Sequence, residues 1–123
     1  MRILITGGLG FIGSHIVEHF VGLGHDVIVA DRLTYAGKIR NIQSVLPQIQ
    51  LAIGDLAHGD FAYRCAALAP DWIIHMAAET HVDYAIADPL RFIRTNVIGT
   101  TTLLHAVAQA AVRPQRILVY STD

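Results

Sequence analysis

The 123-residue chain has little of what marks secreted, membrane-spanning or nucleic-acid-binding proteins. Its one cysteine, Cys65, cannot form an internal disulfide, which favours a reducing compartment and a thiol packed on a helix. Apolar runs have only strand length, so neither a transmembrane span nor a signal sequence is expected. The 9 Lys and Arg residues are scattered, and the formal net charge is −1, which argues against a nucleic-acid partner. We therefore expect a cytoplasmic protein that binds neither nucleic acid nor membranes.

Charged residues are also scarce, at 15%, whereas hydrophobic residues make up 53% of the chain. Such a composition favours a sheet covered by helices on both faces over a disordered design. The length is sufficient for one domain with its own core. Because strand-length apolar runs alternate with helical patterns over short connections, the sequence predicts a doubly wound parallel α/β sheet. The expected strand order is 3-2-1-4-5, truncated after strand five.

The predicted strands span 3–6, 27–30, 49–53, 72–76 and 117–120, and the predicted helices span 12–23, 39–46, 59–68 and 89–112. The longest helix should begin with Asp88 as N-cap and Pro89 at the first helical position. Apolar residues at helical spacing predict the faces of two helices that pack on the sheet. These faces are Ile12, Ile16, Phe20 and Leu23 in the first helix, and Ile93, Val97, Leu104 and Val107 in the longest one.

A glycine-rich segment, 6–13, separates the first predicted strand from the first helix. Gly7 suits a tight turn, Gly10 leaves room for a phosphate, and Gly13 allows the helix to pack closely on the strand. An isolated match of this kind can also be a turn without special chemistry. Here Asp31 ends the second strand 18 residues after Gly13, where a carboxylate accepts hydrogen bonds from an adenine ribose. We interpret the pattern as a dinucleotide site that prefers NAD to NADP, although Arg32 beside Asp31 could soften that preference.

Polar clusters follow each predicted strand, and in such sheets ligands bind at the carboxyl ends of the strands. The clusters are 7–13, 31–37, 54–56, 77–83 and 121–123. The predicted order brings them to one edge, beside the point where the order reverses between strands one and four. His15, Glu18 and His19 also match an inverted zinc-peptidase pattern. Because the helix that carries them is expected to begin at the glycine turn of a dinucleotide site, no metal site is expected.

Five segments of the chain together resemble the extended short-chain dehydrogenase/reductases, the NAD-dependent epimerase/dehydratase family. They are TGGLGFIGSH (6–15), DRLTYAG (31–37), GD (54–55), AAETHVD (77–83) and TNVIGT (95–100). The first and last segments are shared by most extended members. Segments 33–37 and 81–83 are more typical of the nucleotide-sugar 4,6-dehydratases within the family. Tyr84-Ala85 departs from the Arg-Ser or Asn-Ser common in them, and Thr80 stands where serine is usual, so the exact substrate stays open.

The resemblance implies an NAD site and a nucleotide-sugar site. The implied cofactor-binding residues are Gly7, Gly10, Phe11, Ile12, Gly13, Asp31, Arg32, Leu33, Thr34, Asp55, Leu56, Met76, Ala77, Ala78, Glu79, Thr80 and Thr95. The implied substrate-binding residues are Thr80, Asp83 and Thr122, and the implied catalytic residues are Thr122 and Asp123, with Asp123 as general acid.

The implied reaction oxidises C4 of a dTDP-hexose, eliminates water across C5 and C6, and returns the hydride to C6. It also requires a glutamate base and a Tyr-x-x-x-Lys pair. Within residues 1–123, none of the tyrosines, at 35, 63, 84 and 120, is followed by a lysine four positions later. We therefore expect residues 1–123 to be a partial Rossmann domain, without the sixth strand and the substrate-binding C-terminal part. Such a fragment would bind NAD without turnover.

Two alternatives remain open from the sequence. The chain could come from another nucleotide-sugar enzyme of the same superfamily, such as an epimerase or decarboxylase. It could also be a non-catalytic NAD-binding module, which the absence of Tyr-x-x-x-Lys favours. A homodimer is expected for the intact enzyme, whereas the oligomeric state of this chain stays open.

Overall fold

Five parallel strands form a sheet in the computed structural model, which describes residues 1–121. The strands are β1 (Arg2–Thr6), β2 (Asp26–Asp31), β3 (Ile49–Ile53), β4 (Trp72–His75) and β5 (Arg116–Val119). Their order is β3-β2-β1-β4-β5, and each neighbouring pair is parallel. The predicted fold class and strand order are thus confirmed. Consecutive strands lie side by side, as short crossovers favour, except for β3 and β4, between which the chain crosses to the other side of β1.

Helices and 3₁₀ turns connect the strands. The helices are α1 (Phe11–Gly22), α2 (Gly59–Ala67), α3 (Val82–Ala87), α4 (Pro89–Phe92) and α5 (Thr100–Gln109), with a π-helical segment (Ile93–Gly99) between α4 and α5. The predicted helix over 39–46 is wrong, because two 3₁₀ turns, Ile39–Ile42 and Leu46–Gln48, occupy this region. Pro47 disfavours the α conformation at Leu46, so it limits this region only at its C-terminal end. Helix α3 was not among the predicted helices.

Both faces of the sheet are buried, because successive side chains of a strand point to opposite faces. One core cluster contains Leu4, Ile28 and Ile73 from the sheet, packed with Phe61, Cys65, Leu103 and Ala106 from the helices. The other contains Ile3, Ile5, Val27, Val29 and Ile74, packed with Leu9, Val17 and Ile42. This two-sided burial explains why the inner strands are almost continuously apolar.

Helix α1 packs on the sheet through small residues. Its buried residues are Gly13, Ser14 and Val17. A Cβ at Gly13 would clash with the carbonyl oxygen of Gly7, so this close approach sets the rotation of the helix. The predicted face is therefore wrong at Ile12 and Leu23, which are each 59% exposed. The predicted positions that do pack, partly buried, against the core are Ile16 and Phe20.

The predicted helix over 89–112 begins as expected, with the Asp88 side chain accepting the Arg91 N–H at 3.3 Å. It ends earlier, at Gln109, and the π-helical segment interrupts it. The wider i→i+5 turn changes the angular relation between positions on either side of that segment. Residues at helical spacing on opposite sides of this segment therefore do not lie on one face of the helix. Of the predicted core face Val107 is buried, whereas Ile93, Val97 and Leu104 are exposed.

Strand β5 forms one edge of the sheet, and its apolar side chains Ile117, Leu118 and Val119 are exposed. Within residues 1–121, every helix is too short or too polar to cross a lipid bilayer.

Candidate functional site

A cleft of about 690 Å³ opens at the carboxyl ends of the strands. It is lined by the glycine turn after β1, by the segments that follow β2, β3 and β4, and by the π-helical segment. The sequence-predicted residues that line it are Gly7, Gly10, Phe11, Ile12, Gly13, Asp31, Arg32, Thr34, Asp55, Leu56, Met76, Ala77, Ala78, Glu79, Thr80 and Thr95. The lining does not include Leu33 or Asp83, and both are exposed. Thr122 and Asp123 lie outside the described residues.

The glycine turn is shaped by close backbone approaches. Gly7 has a φ of +70°, and a Cβ there would lie 2.8 Å from the backbone of Ala77. The Gly7 carbonyl accepts the Gly10 N–H at 3.1 Å, and Gly10 then serves as the N-cap of α1. No side chain in the described structure caps this helix. The N–H groups of the first helical turn are thus available to an anion in the cleft, where the helix dipole also favours negative charge.

The Asp31 carboxylate connects two loops of the cleft. One oxygen accepts the Leu9 N–H at 3.1 Å and the other accepts the Leu33 N–H at 2.9 Å. The Leu9 carbonyl in turn accepts the Asn41 side-chain amide at 2.8 Å. Asp31 is 9% exposed, and each carboxylate oxygen retains acceptor capacity for a further donor. Asp31 therefore holds the glycine turn in place while presenting an acceptor to the cleft.

A buried hydrogen-bonded chain joins β1, β4 and α5 beneath the cleft. The Thr6 hydroxyl accepts the N–H groups of Met76 and Ala77 at 3.2 Å each and lies 2.6 Å from His75 Nδ1. Because both acceptor positions of that hydroxyl are used, its proton is donated to Nδ1. His75 Nε2 then carries the ring proton and donates it to the Thr100 hydroxyl at 2.8 Å. The geometry thus assigns a neutral His75 with a defined tautomer.

The stability of the protein should fall in mild acid because of His75. Burial lowers the pKa of His75 from its ordinary value of 6.5. The folded chain keeps the ring neutral, whereas the unfolded chain binds a proton below about pH 6.5. This contribution to stability is complete above that pH and is lost as the pH falls toward the lowered pKa of the folded state. Urea unfolding between about pH 7.5 and about pH 5 measures the effect.

The control is His75→Gln. Its free energy of unfolding should change less with pH, because only the contribution of the other titratable groups remains. The same pH dependence in both proteins would contradict the assignment of a buried, neutral His75.

A cluster of opposite charges spans the cleft. Arg32 Nη2 lies 2.7 Å from Glu79 Oε1, and Arg32 Nη1 lies 3.3 Å from Asp55 Oδ2. Arg91 reaches the same Glu79 oxygen at 2.9 Å, and Arg94 lies 3.7 Å from Asp55. The Glu79 side chain is 4% exposed. Arg91 thus belongs to this charge cluster, and no spacing in the sequence indicated its partner.

The π-helical segment positions the backbone of Glu79. The Asn96 side chain accepts the Glu79 N–H at 2.8 Å and donates to the Glu79 carbonyl at 2.9 Å. Thr95, its neighbour, lines the cleft with a buried hydroxyl that has no hydrogen-bond partner among residues 1–121. π-helical turns often occur at functional sites, and this one directs two polar side chains to the cleft.

An aromatic cluster lies beside these charges. The Tyr35 and Tyr84 rings pack edge to face at 5.1 Å, His81 stacks on Tyr84 at 4.7 Å, and Arg91 lies 5.4 Å from the Tyr35 ring. Partial burial raises the pKa of Tyr35, and the negative charge of Glu79 raises it further. Tyr84, which departs from the common dehydratase pattern, is therefore part of a packed cluster.

Among residues 1–121, no group of three or more His, Cys, Asp and Glu side chains is arranged to hold a metal ion. His15 and Glu18 of the zinc-like pattern lie 4.0 Å apart at the surface of α1.

The parallel sheet, the glycine turn at a helix N-terminus and the acidic residue that ends β2 define a dinucleotide-binding Rossmann-type protein. The family model described as GDP-mannose 4,6 dehydratase matches residues 4–123, and the chain belongs to this family. The predicted membership of the epimerase/dehydratases is thus confirmed.

Individual relatives agree with this assignment. The chain is 43% identical to the dTDP-glucose 4,6-dehydratase of Mycobacterium tuberculosis over 125 residues, covering 100% of this chain and 37% of that protein. Its structure resembles the dTDP-glucose 4,6-dehydratase DesIV of Streptomyces venezuelae, solved with NAD bound, with a TM-score of 0.86 and 41% identity. That match covers 95% of this chain and 38% of the other. The chain thus spans little more than a third of these proteins.

A second fold relative is an epimerase. The UDP-glucose 4-epimerase of Thermotoga maritima, solved with UDP-glucose, has a TM-score of 0.89 and 32% identity. The match covers 99% of this chain and 38% of that one.

Proposed function

We propose that this chain is the NAD-binding part of a nucleotide-sugar 4,6-dehydratase that converts dTDP-glucose to dTDP-4-keto-6-deoxyglucose. One observation carries the proposal: the buried Asp31 carboxylate and the glycine turn lie beside each other and line the same cleft. The 43% identity to a dTDP-glucose 4,6-dehydratase supports the choice of reaction.

The residues present fit NAD. The N–H groups at the start of α1 suit a pyrophosphate, and Phe11 and Ile12 would cover it. Asp31 would accept from a ribose hydroxyl and would repel a 2′-phosphate. Asp55 and Leu56 would flank the adenine. The residues proposed to line the path to the nicotinamide are Met76, Ala77, Ala78, Glu79, Thr80 and Thr95. When bound, NAD would accept a hydride from C4 of the hexose and return it to C6.

The proposed substrate contacts come from Thr80, Asp83 and Thr122, and Asp123 is proposed to protonate the departing hydroxyl. A carboxylic acid suits that role because a base must remove the C5 proton separately. None of the 123 residues forms a Tyr-x-x-x-Lys pair. We accordingly propose that residues 1–123 form a partial domain that binds NAD without turnover, in a cytoplasmic enzyme whose intact form is a homodimer.

Removing the Asp31 carboxylate should weaken NAD binding. We expect Asp31→Ala to reduce affinity roughly 10- to 100-fold, because a hydrogen bond to a charged acceptor is lost. Titration calorimetry of the 123-residue chain with NAD measures this, with far-UV circular dichroism to verify folding.

The matched control is Asn41→Ala. It removes one of two hydrogen bonds to the Leu9 carbonyl of the same glycine turn, the other being donated by the Lys38 N–H, and it leaves the carboxylate in place. Its effect on NAD affinity should be much smaller. Absence of NAD binding by the folded wild-type chain would refute the proposal, and equal losses in both variants would show that Asp31 acts only by holding the turn.

The likeness to UDP-glucose 4-epimerase supports a second candidate, a sugar 4-epimerase. Because residues 1–123 are expected not to turn over, the intact gene product is incubated with NAD and either dTDP-glucose or UDP-glucose to separate the two candidates. A 4-epimer product would favour the epimerase, and a 4-keto-6-deoxy product would support the dehydratase. NAD binding by an intact gene product without either reaction would indicate a non-catalytic module.

A further inference from the structure

Arg32 stands next to Asp31, and the two side chains favour different dinucleotides. A carboxylate at the end of the second strand selects the free 2′-hydroxyl of NAD, whereas a nearby arginine accommodates the 2′-phosphate of NADP. The linear sequence places both at the same strand exit, so it does not settle which of them acts on the ribose.

The structure shows that Arg32 is engaged elsewhere. Its guanidinium lies between Glu79, at 2.7 Å, and Asp55, at 3.3 Å, and its side chain is 24% exposed. These carboxylates follow β4 and β3, so Arg32 extends across the carboxyl edge of the sheet. Arg32 therefore has two acidic partners, which it shares with Arg91 at Glu79 and with Arg94 at Asp55.

Glu79 is well placed to keep Arg32 there. Its side chain is 4% exposed, and Arg91 binds the same oxygen through Nη2 at 2.9 Å and Nε at 3.0 Å. Asn96 fixes its backbone through two hydrogen bonds. Ion pairs in such a shielded place are stronger than exposed ones, and separating one leaves a buried charge without a partner.

We propose that Glu79, assisted by Asp55, determines dinucleotide specificity by holding Arg32 away from the ribose 2′-position. A 2′-phosphate would then have to draw Arg32 out of a paired state while facing Asp31. This inference rests on the proposed NAD site. It adds that the preference for NAD depends on Glu79 and Asp55, which act through Arg32 and do not themselves contact the 2′-position.

The test compares the affinities of wild-type and variant chains for NAD and for NADP by titration calorimetry. Glu79→Gln keeps the side-chain size but removes the charge that holds Arg32. We expect the ratio of NADP to NAD affinity to rise about tenfold, because Arg32 becomes available for a charge-assisted hydrogen bond. Asp55→Asn, which releases the weaker contact, should raise the ratio less and serves as the second variant should Glu79→Gln not fold.

Two controls identify the origin of any rise. Arg91→Gln removes the other cation from the same Glu79 oxygen but keeps the Arg32 pair, so the ratio should stay at the wild-type value. In the double variant Arg32→Ala/Glu79→Gln the rise should disappear.

An unchanged ratio in folded Glu79→Gln, or in Asp55→Asn if only that variant folds, overturns this inference while NAD binding by the wild-type chain upholds the proposed function. A rise that persists without Arg32 also overturns it. If the folded wild-type chain binds no NAD, the proposed function and this inference fail together.

Discussion

Gly13→Ala is expected to abolish dinucleotide binding and to destabilise the fold by about 3 kcal/mol. The added Cβ would clash with the Gly7 carbonyl oxygen and would crowd the Gly8 Cα. All these atoms belong to backbone or are directly attached to it, so no side-chain rotation relieves the clash. Helix α1 would have to move away from β1, and its first N–H groups would leave the cleft.

Gly22→Ala in the same helix is the matched control. A Cβ at Gly22 meets no atom within 4 Å, and alanine is the better helix former by up to about 1 kcal/mol. Urea unfolding should therefore show the two variants shifted in opposite directions, with NAD binding retained only in Gly22→Ala. Wild-type stability and NAD affinity in Gly13→Ala would show that the helix is not held by this close approach.

Thr6→Val is expected to cost about 3 kcal/mol of stability, although valine has nearly the same shape. The Thr6 hydroxyl bonds His75 Nδ1 and accepts the Ala77 N–H, and Thr6 itself is fully buried. Valine would leave a ring nitrogen and a backbone N–H without this partner, at a cost of about 1–3 kcal/mol each. Because Ala77 borders Gly7, the cleft should also lose NAD affinity.

Thr6→Ser retains the hydroxyl and loses a methyl group, so it should be clearly more stable than Thr6→Val. Unfolding of both variants in urea, near pH 7.5, provides the comparison. If serine proved as damaging as valine, packing of the methyl group rather than the hydrogen-bonded chain would hold this position.

Much of the fold could be predicted because it depends on local patterns. The inner strands are buried on both faces and are therefore apolar throughout, which makes them recognisable without any partner. Short connections and right-handed crossovers then leave few possible orders. The glycine turn and Asp31 could be recognised for a similar reason, since turn, helix start and carboxylate lie within about 25 residues in such sites.

The helix faces could not be predicted from spacing alone. In α1 the position of Gly13 against Gly7 turns the small residues inward and leaves Ile12 exposed. In the longest helix the π-helical segment breaks the relation between Ile93 and Val107. Hydrophobic spacing reports which residues share a face, but it does not report which face lies against the sheet.

The sequence by itself determined the strand order, the strand exits that form the cleft and the acidic end of β2, because each depends on short stretches of chain. Only the tertiary structure decided how the charges of the cleft are paired. Arg32, Asp55, Glu79 and Arg91 are distant along the chain, and their pairing depends on how the strands align and on how the π-helical segment turns. An ion pair forms where folding brings two charges within a few ångströms of each other. The number of residues between them in the sequence does not specify that distance.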